Sequence, residues 1–168
     1  MLKKYYKNIK ILYVEDDEIA RENGIEYLEN YFELIYDASD AIKALQLYEK
    51  YKPDIIITDI QMPKLNGLEF VKRIRQKDKK TQVIIITAFS GKDYLLKAIE
   101  LGLVKYLVKP VREKEFEEAL FLCINALEKD ETNIIQLDEI TFFDTFNKNL
   151  ISSNEMVKLR AKELNFLE

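Results

Sequence analysis

The sequence predicts an α/β protein in which five short β-strands alternate with five helices and form an open, doubly wound parallel sheet. Between residues 9 and 127, apolar runs rich in Ile and Val alternate with amphipathic segments. Such runs are typical of parallel strands that are buried on both faces. Three of the runs end on charged residues, and the carboxyl ends of the strands in such a sheet line its ligand crevice.

The predicted strands are, in chain order, IKILYV, ELIY, DIIIT, QVIII and VKYLV. A helix is predicted after each strand, because apolar residues recur there at spacings of three and four, as Leu68, Val71 and Ile74 do in the third helix. We expect Asp17 to cap the first helix and Ser39 the second. Strict alternation implies right-handed crossovers, so the helices should cover both faces of the sheet.

The bulk composition excludes several classes of protein. The chain has 168 residues, of which 48% are hydrophobic, and its formal net charge is -4. We expect a cytoplasmic protein without a membrane contact, since no stretch is apolar over the roughly 20 residues that a transmembrane helix needs and the start lacks the apolar core of a signal peptide. No part of the chain has the basic excess that is typical of a nucleic-acid-binding surface.

The chain contains no histidine and a single cysteine, Cys123. The lack of histidine excludes His-ligated metals and nucleophile systems that use histidine as the base. Any phosphohistidine in the function of this chain must therefore belong to a partner. Cys123 lies at helical spacing among apolar residues, so we expect it to pack in the core.

Charged residues end three of the apolar runs: Glu15 and Asp16 follow the first, Asp59 the third and Lys109 the fifth. Because parallel strands end at one edge of the sheet, three carboxylates and one ammonium should converge there. Carboxylates placed together resist full ionisation unless a cation neutralises them. Mg²⁺ binds such oxygens together with phosphate oxygens, and a lysine pairs with phosphate. We therefore predict phosphoryl chemistry with Asp59, which ends the central strand, as the nucleophile.

Each of these residues also has a plainer explanation when it is taken singly. An acidic residue at a strand end usually forms a turn or caps a helix, and Lys109 would be a solvated lysine before a proline. Thr87 ends the fourth run. It is either an ordinary β-branched strand residue or a residue whose hydroxyl lies where a phosphoryl oxygen arrives. The position of all of them at strand carboxyl ends favours the phosphoryl site.

Four segments resemble, in order, the motifs of the receiver domain of two-component response regulators: VEDDE, TDIQMPKLNGLEF, the ITA that contains Thr87, and YLVKP. The resemblance covers about residues 8–128. It implies a CheY-like (βα)5 fold with strand order 2-1-3-4-5 and a receiver domain over residues 1–130. It also implies that a sensor histidine kinase is the phosphodonor and that the chain turns over no external substrate.

The resemblance assigns roles to the residues of the acidic crevice. Asp59 would be the phosphoacceptor and, with Asp16 and the backbone carbonyl of Gln61, would bind Mg²⁺. Glu15 would act on the ion largely through water. Gly67 lies in the turn after the phosphoacceptor, where the backbone would require a glycine because a side chain would not be tolerated.

The resemblance also assigns a switch. Thr87 would hydrogen-bond the arriving phosphoryl group, and Lys109 would form a salt bridge to it. Tyr106 matches the aromatic residue that turns inward when Thr87 moves. The peptide bond between Lys109 and Pro110 would be cis, although few X-Pro bonds are. Phe89, two residues after the threonine, would shield the phosphoryl group from water and slow its hydrolysis.

The pattern changes after about residue 130, where the short runs IIQL, ITFFD, KNLIS and EMVKL are separated by Asp, Asn and Ser. They predict antiparallel hairpins, so residues 131–168 should form a short β-rich tail with a helix beginning at RAKEL. The tail resembles the start of the winged-helix effector domain of OmpR/PhoB-type regulators, in which Leu159 to Leu164 would open a helix. That resemblance implies control of transcription, with DNA bound only through a region missing from this chain. The resemblance leaves open whether the protein forms a homodimer.

Two alternatives stand beside the transcriptional switch. One is a stand-alone receiver that acts through protein–protein contacts of its tail. The sequence beyond Glu168 would distinguish it from a transcription factor, in which a helix-turn-helix and a wing should follow. The other is a magnesium-dependent phosphatase that acts on small substrates. Gln61 replaces the second aspartate of an Asp-x-Asp pattern at Asp59, which argues against a phosphatase of the haloacid dehalogenase type.

Overall fold

The computed structural model describes residues 5–132 and the backbone segments 134–136, 141–144, 149–152 and 155–158. The chain divides into two compact units, Met1–Cys123 and Ile124–Glu168. The predicted functional boundary at residue 130 stays a prediction.

The sheet of the first unit has five parallel strands: β1 Tyr6–Val14, β2 Phe32–Ala38, β3 Ile55–Thr58, β4 Gln82–Thr87 and β5 Lys105–Val108. Their order, β2-β1-β3-β4-β5, confirms the predicted doubly wound sheet. Leu12 of β1 is in register with Tyr36 of β2 on one side and with Ile56 of β3 on the other. Strand order reverses between β1 and β3, and ligands of such sheets bind at the carboxyl ends of strands at this switch point.

One helix follows each strand: α1 Glu18–Glu29, α2 Ala41–Tyr51, α3 Gly67–Arg75, α4 Lys92–Glu100 and α5 Glu113–Thr132. Asp17 caps α1 as predicted, since its Oδ1 accepts a hydrogen bond from the N–H of Ala20 at 2.8 Å. The predicted cap Ser39 is wrong. Asp40 caps α2 and accepts from the N–H of Lys43 at 2.8 Å, because the helix begins one residue later than a cap at Ser39 requires.

The interior is built on the central strands. Ile55, Ile56 and Ile57 are fully buried, as expected for a strand covered on both faces. One apolar cluster joins the sheet to α2 and α3 around Phe70, and a second lies beneath α4. Cys123 is fully buried, and burial raises the pKa of its thiol to about 12, which fits the predicted core position. The strand ends that carry the charged residues are therefore held by a close-packed core.

Among the described residues of the second unit, four strands pair antiparallel in chain order: β6 Ile134–Gln136, β7 Thr141–Asp144, β8 Asn149–Ser152 and β9 Glu155–Lys158. The helix predicted at RAKEL lies outside the described residues, and so do Leu159 and Leu164. The winged-helix assignment of the tail therefore stays a prediction. Within the part of the chain that the structure describes, no helix has both the length and the apolar character to cross a membrane.

Candidate functional site

Three carboxylates meet at the switch point of the sheet. Glu15 and Asp16 follow β1 directly, and Asp59 follows β3. Each offers a carboxylate oxygen, and the three oxygens lie within 4.8 Å of one another. Glu15 and Asp59 are only 3% and 6% exposed, whereas Asp16 is exposed. The structure thus brings together the three acidic residues that the sequence predicted to converge.

Lys109 joins two of these carboxylates. Its Nζ lies 2.7 Å from Glu15 Oε2 and 2.7 Å from Asp59 Oδ2. The lysine follows β5, and its backbone N–H donates to the carbonyl of Thr87 at 2.8 Å, so the end of β4 fixes its position. The bond from Lys109 to Pro110 is cis, as the family resemblance implied.

The charges of the cluster balance only in part. Burial alone would lower the pKa of Lys109, but its hydrogen bonds to Asp59 and Glu15, and their charges, raise that pKa above the ordinary lysine value. Lys109 therefore stays protonated at neutral pH. Burial raises the pKa of Glu15, and the hydrogen bond from Lys109 opposes this shift. A single ammonium beside three carboxylates leaves an excess of negative charge on hard oxygen ligands, and this donor set fits Mg²⁺.

The loop from β3 to α3 fixes the carboxylate and the backbone of Asp59. The N–H of Gln61 donates to Asp59 Oδ1 at 3.0 Å, and the hydroxyl of Thr58 donates to the Asp59 carbonyl at 2.9 Å. Gly67 faces the same carbonyl, and a Cβ at this position would overlap the Asp59 oxygen and lie 3.1 Å from the Cα of Ile60. The requirement for glycine that was predicted at position 67 is therefore explained by the close approach of the Asp59 carbonyl, which leaves no room for a side chain.

The predicted switch residues, Thr87 and Tyr106, both form a hydrogen bond with the backbone of Phe89, which lies in the loop between β4 and α4. Thr87 ends β4 and is fully buried, and its Oγ1 accepts a hydrogen bond from the N–H of Phe89 at 3.3 Å. The hydroxyl of Tyr106, in β5, donates to the backbone carbonyl of Phe89 at 2.7 Å. The Phe89 ring stacks on the ring of Tyr94, with centroids 4.9 Å apart. The backbone of Phe89 thus connects Thr87 with Tyr106.

Sequence reasoning missed Arg21, in α1, which contacts the loop that carries Glu15 and Asp16. Its Nη1 donates to the backbone carbonyl of Glu15 at 2.8 Å and reaches that of Asp16 at 3.5 Å, and its Nε lies 3.3 Å from Asp37 Oδ2. A basic residue one turn into a helix is only a weak indication of a role in a functional site, because most such residues face solvent. Only the pairing of β1 with β2 brings Asp37 beside it.

A five-stranded parallel sheet of order 2-1-3-4-5, with an acidic cluster and a lysine at its switch point, defines a CheY-like α/β protein. Residues 11–121 match the family model described as the response regulator receiver domain. The chain belongs to this family and contains the receiver domain of a two-component response regulator.

Two solved structures are similar to this chain in fold and sequence. The N-terminal domain of a Wolinella succinogenes protein is 43% identical, has a TM-score of 0.67, and the match covers 72% of this chain and 98% of that domain. A receiver domain protein of Clostridium thermocellum is 27% identical, has a TM-score of 0.64, and the match covers 74% of this chain and 98% of that one.

Among curated relatives, the transcriptional regulatory protein BtsR of Salmonella typhi is 32% identical over 129 residues, which are 76% of this chain and 53% of BtsR. The chain spans about half the length of the curated relatives it matches. None of these matches supports the predicted winged-helix identity of residues 131–168.

Proposed function

We propose that the chain is a cytoplasmic signalling switch that accepts a phosphoryl group on Asp59 from the phosphohistidine of a sensor histidine kinase, with Mg²⁺. One observation carries the proposal: Asp59 lies 2.7 Å from the ammonium of Lys109 and within a cluster of three carboxylates at the switch point of the sheet. The chain has no histidine of its own, so the donor belongs to a partner. Membership of the receiver family supports this donor.

In the proposed step, a carboxylate oxygen of Asp59 attacks the phosphorus of the donor while the P–N bond breaks. The electron pair of that bond leaves with the imidazole nitrogen of the kinase. Lys109, which stays protonated, then pairs with a phosphoryl oxygen and stabilises its negative charge. The hydroxyl of Thr87 donates a hydrogen bond to a second phosphoryl oxygen.

The chain's own oxygen ligands fit the ion that this chemistry needs. Asp16, Asp59 and the backbone carbonyl of Gln61 would hold Mg²⁺, with Glu15 acting through water. Asp16 is exposed and is not one of the carboxylates that Lys109 contacts, so it suits direct coordination. When bound, Mg²⁺ neutralises the cluster and offsets negative charge on the phosphoryl oxygens.

The switch follows from the hydrogen bonds at Phe89. To donate its hydroxyl to a phosphoryl oxygen, Thr87 would turn toward the crevice and alter the hydrogen bond that its Oγ1 accepts from the N–H of Phe89. The carbonyl of Phe89 is in turn the acceptor of the Tyr106 hydroxyl. A change at Thr87 therefore reaches Tyr106 and the face formed by α4, β5 and α5. The output would be control of transcription, which the name of BtsR supports. DNA contact would come from outside this chain.

The test is the stoichiometry of phosphorylation with acetyl phosphate and Mg²⁺. We expect a single phosphoryl group per chain, no modification in the presence of EDTA, and slower labelling of Asp16→Asn, which keeps the size of the side chain but removes a charged ligand. No external substrate should be turned over. Continuous phosphate release from a generic phosphate ester, without a stoichiometric phosphoprotein, would contradict the proposal and favour the phosphatase alternative.

A further inference from the structure

Arg21 contacts the backbone of the acidic loop rather than its carboxylates. Its guanidinium donates to the carbonyls of Glu15 and Asp16 at 2.8 and 3.5 Å, and it pairs with Asp37. The arginine side chain is only 15% exposed, whereas that of Asp37 is 43% exposed. We propose that Arg21 is a positioning residue for the metal site and holds the loop so that the Asp16 carboxylate faces the crevice. The inference rests on the proposed function, in which Asp16 binds Mg²⁺.

The loop needs such a contact because its two ends are fixed, whereas its middle is held by a long hydrogen bond from the N–H of Asp17 to Glu15 Oε1 at 3.4 Å. The N–H of Glu15 donates to the carbonyl of Ala38 in β2 at 3.1 Å, and Asp17 caps α1. Between these anchors lie the two peptide planes that flank Asp16. Their carbonyls are those of Glu15 and Asp16, the two that Arg21 contacts. Fixing both planes fixes the backbone dihedrals of Asp16 and therefore the direction of its Cα–Cβ bond, from which the carboxylate extends.

Arginine suits this position better than lysine does. Nη1 of Arg21 serves the two carbonyls while Nε of the same planar group faces Asp37, so one rigid group spans three acceptors. Asp37 is near the end of β2 and is in register with Tyr13 of β1. The ion pair thus anchors the guanidinium to the end of β2, beside the strand β1 that leads into the loop.

Charge and positioning predict opposite effects for the loss of Arg21. A positive side chain beside the acidic cluster opposes the binding of a cation, so on charge alone a neutral replacement would tighten Mg²⁺ binding. Loss of positioning would weaken it, because Asp16 would then have to be ordered by the ion itself. Removing a group that orients a metal ligand typically costs about tenfold or more in affinity.

The test is the Mg²⁺ dissociation constant, measured by isothermal titration calorimetry on the full chain. We expect Arg21→Gln to raise it roughly tenfold and Arg21→Lys to fall between Arg21→Gln and wild type. Arg21→Lys keeps the charge, so any weakening it shows is not a charge effect. Arg73→Gln is the matched control, since it removes the same charge from an exposed ion pair with Glu69 in α3, and it should bind as wild type does.

A second measurement does not involve the metal. In metal-free protein, the amides of residues 16 and 17 should exchange hydrogen faster in Arg21→Gln than in wild type or in Arg73→Gln. Equal or tighter Mg²⁺ binding by Arg21→Gln, with unchanged exchange, would overturn the inference and leave the proposed function intact. If wild type itself bound no Mg²⁺, the metal assignment of the proposed function would fail and the inference with it.

Discussion

Gly67 lies against the backbone carbonyl of Asp59, so closely that any side chain at Gly67 would overlap that oxygen. The N–H of Gly67 donates to the carbonyl of Ile60 at 2.9 Å, and Asn66 caps α3 at the preceding position. The first residue of α3 and the backbone of the proposed phosphoacceptor therefore share a contact that has room only for a glycine. The geometry that presents Asp59 to the crevice depends on this contact.

Gly67→Ala should displace the β3–α3 loop and so impair both folding and function. We expect a loss of about 1–3 kcal/mol in the free energy of unfolding, as is usual when a close-packed site is overfilled, and slower phosphorylation of Asp59. Urea unfolding and phosphorylation by acetyl phosphate measure the two effects. Gly91→Ala is the control, because the nearest atom to a Cβ there is in Tyr94 at an ordinary 3.7 Å. Equal losses of stability and of phosphorylation rate in the two variants would contradict the close approach of Gly67 to the Asp59 carbonyl.

Tyr106→Phe removes the hydrogen bond to the Phe89 carbonyl and keeps the aromatic ring. We expect a loss of about 1 kcal/mol in stability and faster hydrogen exchange in the β4–α4 loop. Phosphorylation of Asp59 should continue at a similar rate, since the lost bond lies in that loop and outside the acidic cluster. Exchange measured by mass spectrometry tests the change. Unchanged hydrogen exchange in the β4–α4 loop would show that the Tyr106 hydroxyl does not connect β5 to Phe89.

Phe89→Ala should shorten the lifetime of the phosphorylated protein. The apolar ring at this position is proposed to keep water from the acyl phosphate, and its stacking on Tyr94 orders it. Tyr94→Ala removes the stacking partner but keeps the ring, so it should accelerate phosphate release less. Release is followed after the phosphodonor is removed. A rate equal to that of wild type in Phe89→Ala would exclude shielding by the ring.

Asp78 accepts hydrogen bonds in a network at the start of β4. The hydroxyls of Tyr48 and Thr81 donate to its Oδ2, and the N–H groups of Lys80 and Thr81 donate to its Oδ1 at 2.7 and 3.1 Å. Burial alone would raise the pKa of Asp78, but these hydrogen bonds lower it from 3.8 to about 2. The ionised carboxylate therefore stabilises the fold.

Asp78→Asn should lower the stability at neutral pH by about 1–2 kcal/mol, a value reduced from the full shift because the carboxylate is partly solvated. Since the folded pKa lies below the unfolded one, the contribution of Asp78 is present above about pH 4 and is lost as the pH falls toward 2. The difference between variant and wild type should shrink over that window in urea unfolding curves. Asp40→Asn is the control, because asparagine caps a helix as well as aspartate does. A difference that did not depend on pH would contradict the role of the ionised carboxylate.

The acidic crevice was predictable because its residues follow the strands directly, and parallel strands must end at one edge of the sheet. Asp59 and Lys109 were found this way although 50 residues separate them. The contact between Arg21 and Asp37 was not predictable, since the strand order places β2 beside β1 but does not fix the register of the two strands or which α1 side chain meets β2. The error at Ser39 has a local cause: Asp40 is an equally good cap, and hydrophobic periodicity does not fix a helix end to one residue.

The most direct measurement is the intact mass of wild type and Asp59→Asn after treatment with acetyl phosphate and Mg²⁺, with circular dichroism to verify that both are folded. The account predicts that wild type gains a phosphoryl group and that Asp59→Asn, which keeps the size of the side chain but loses the attacking carboxylate, gains none. Phosphorylation of Asp59→Asn as readily as wild type would contradict the assignment of Asp59 as the phosphoacceptor.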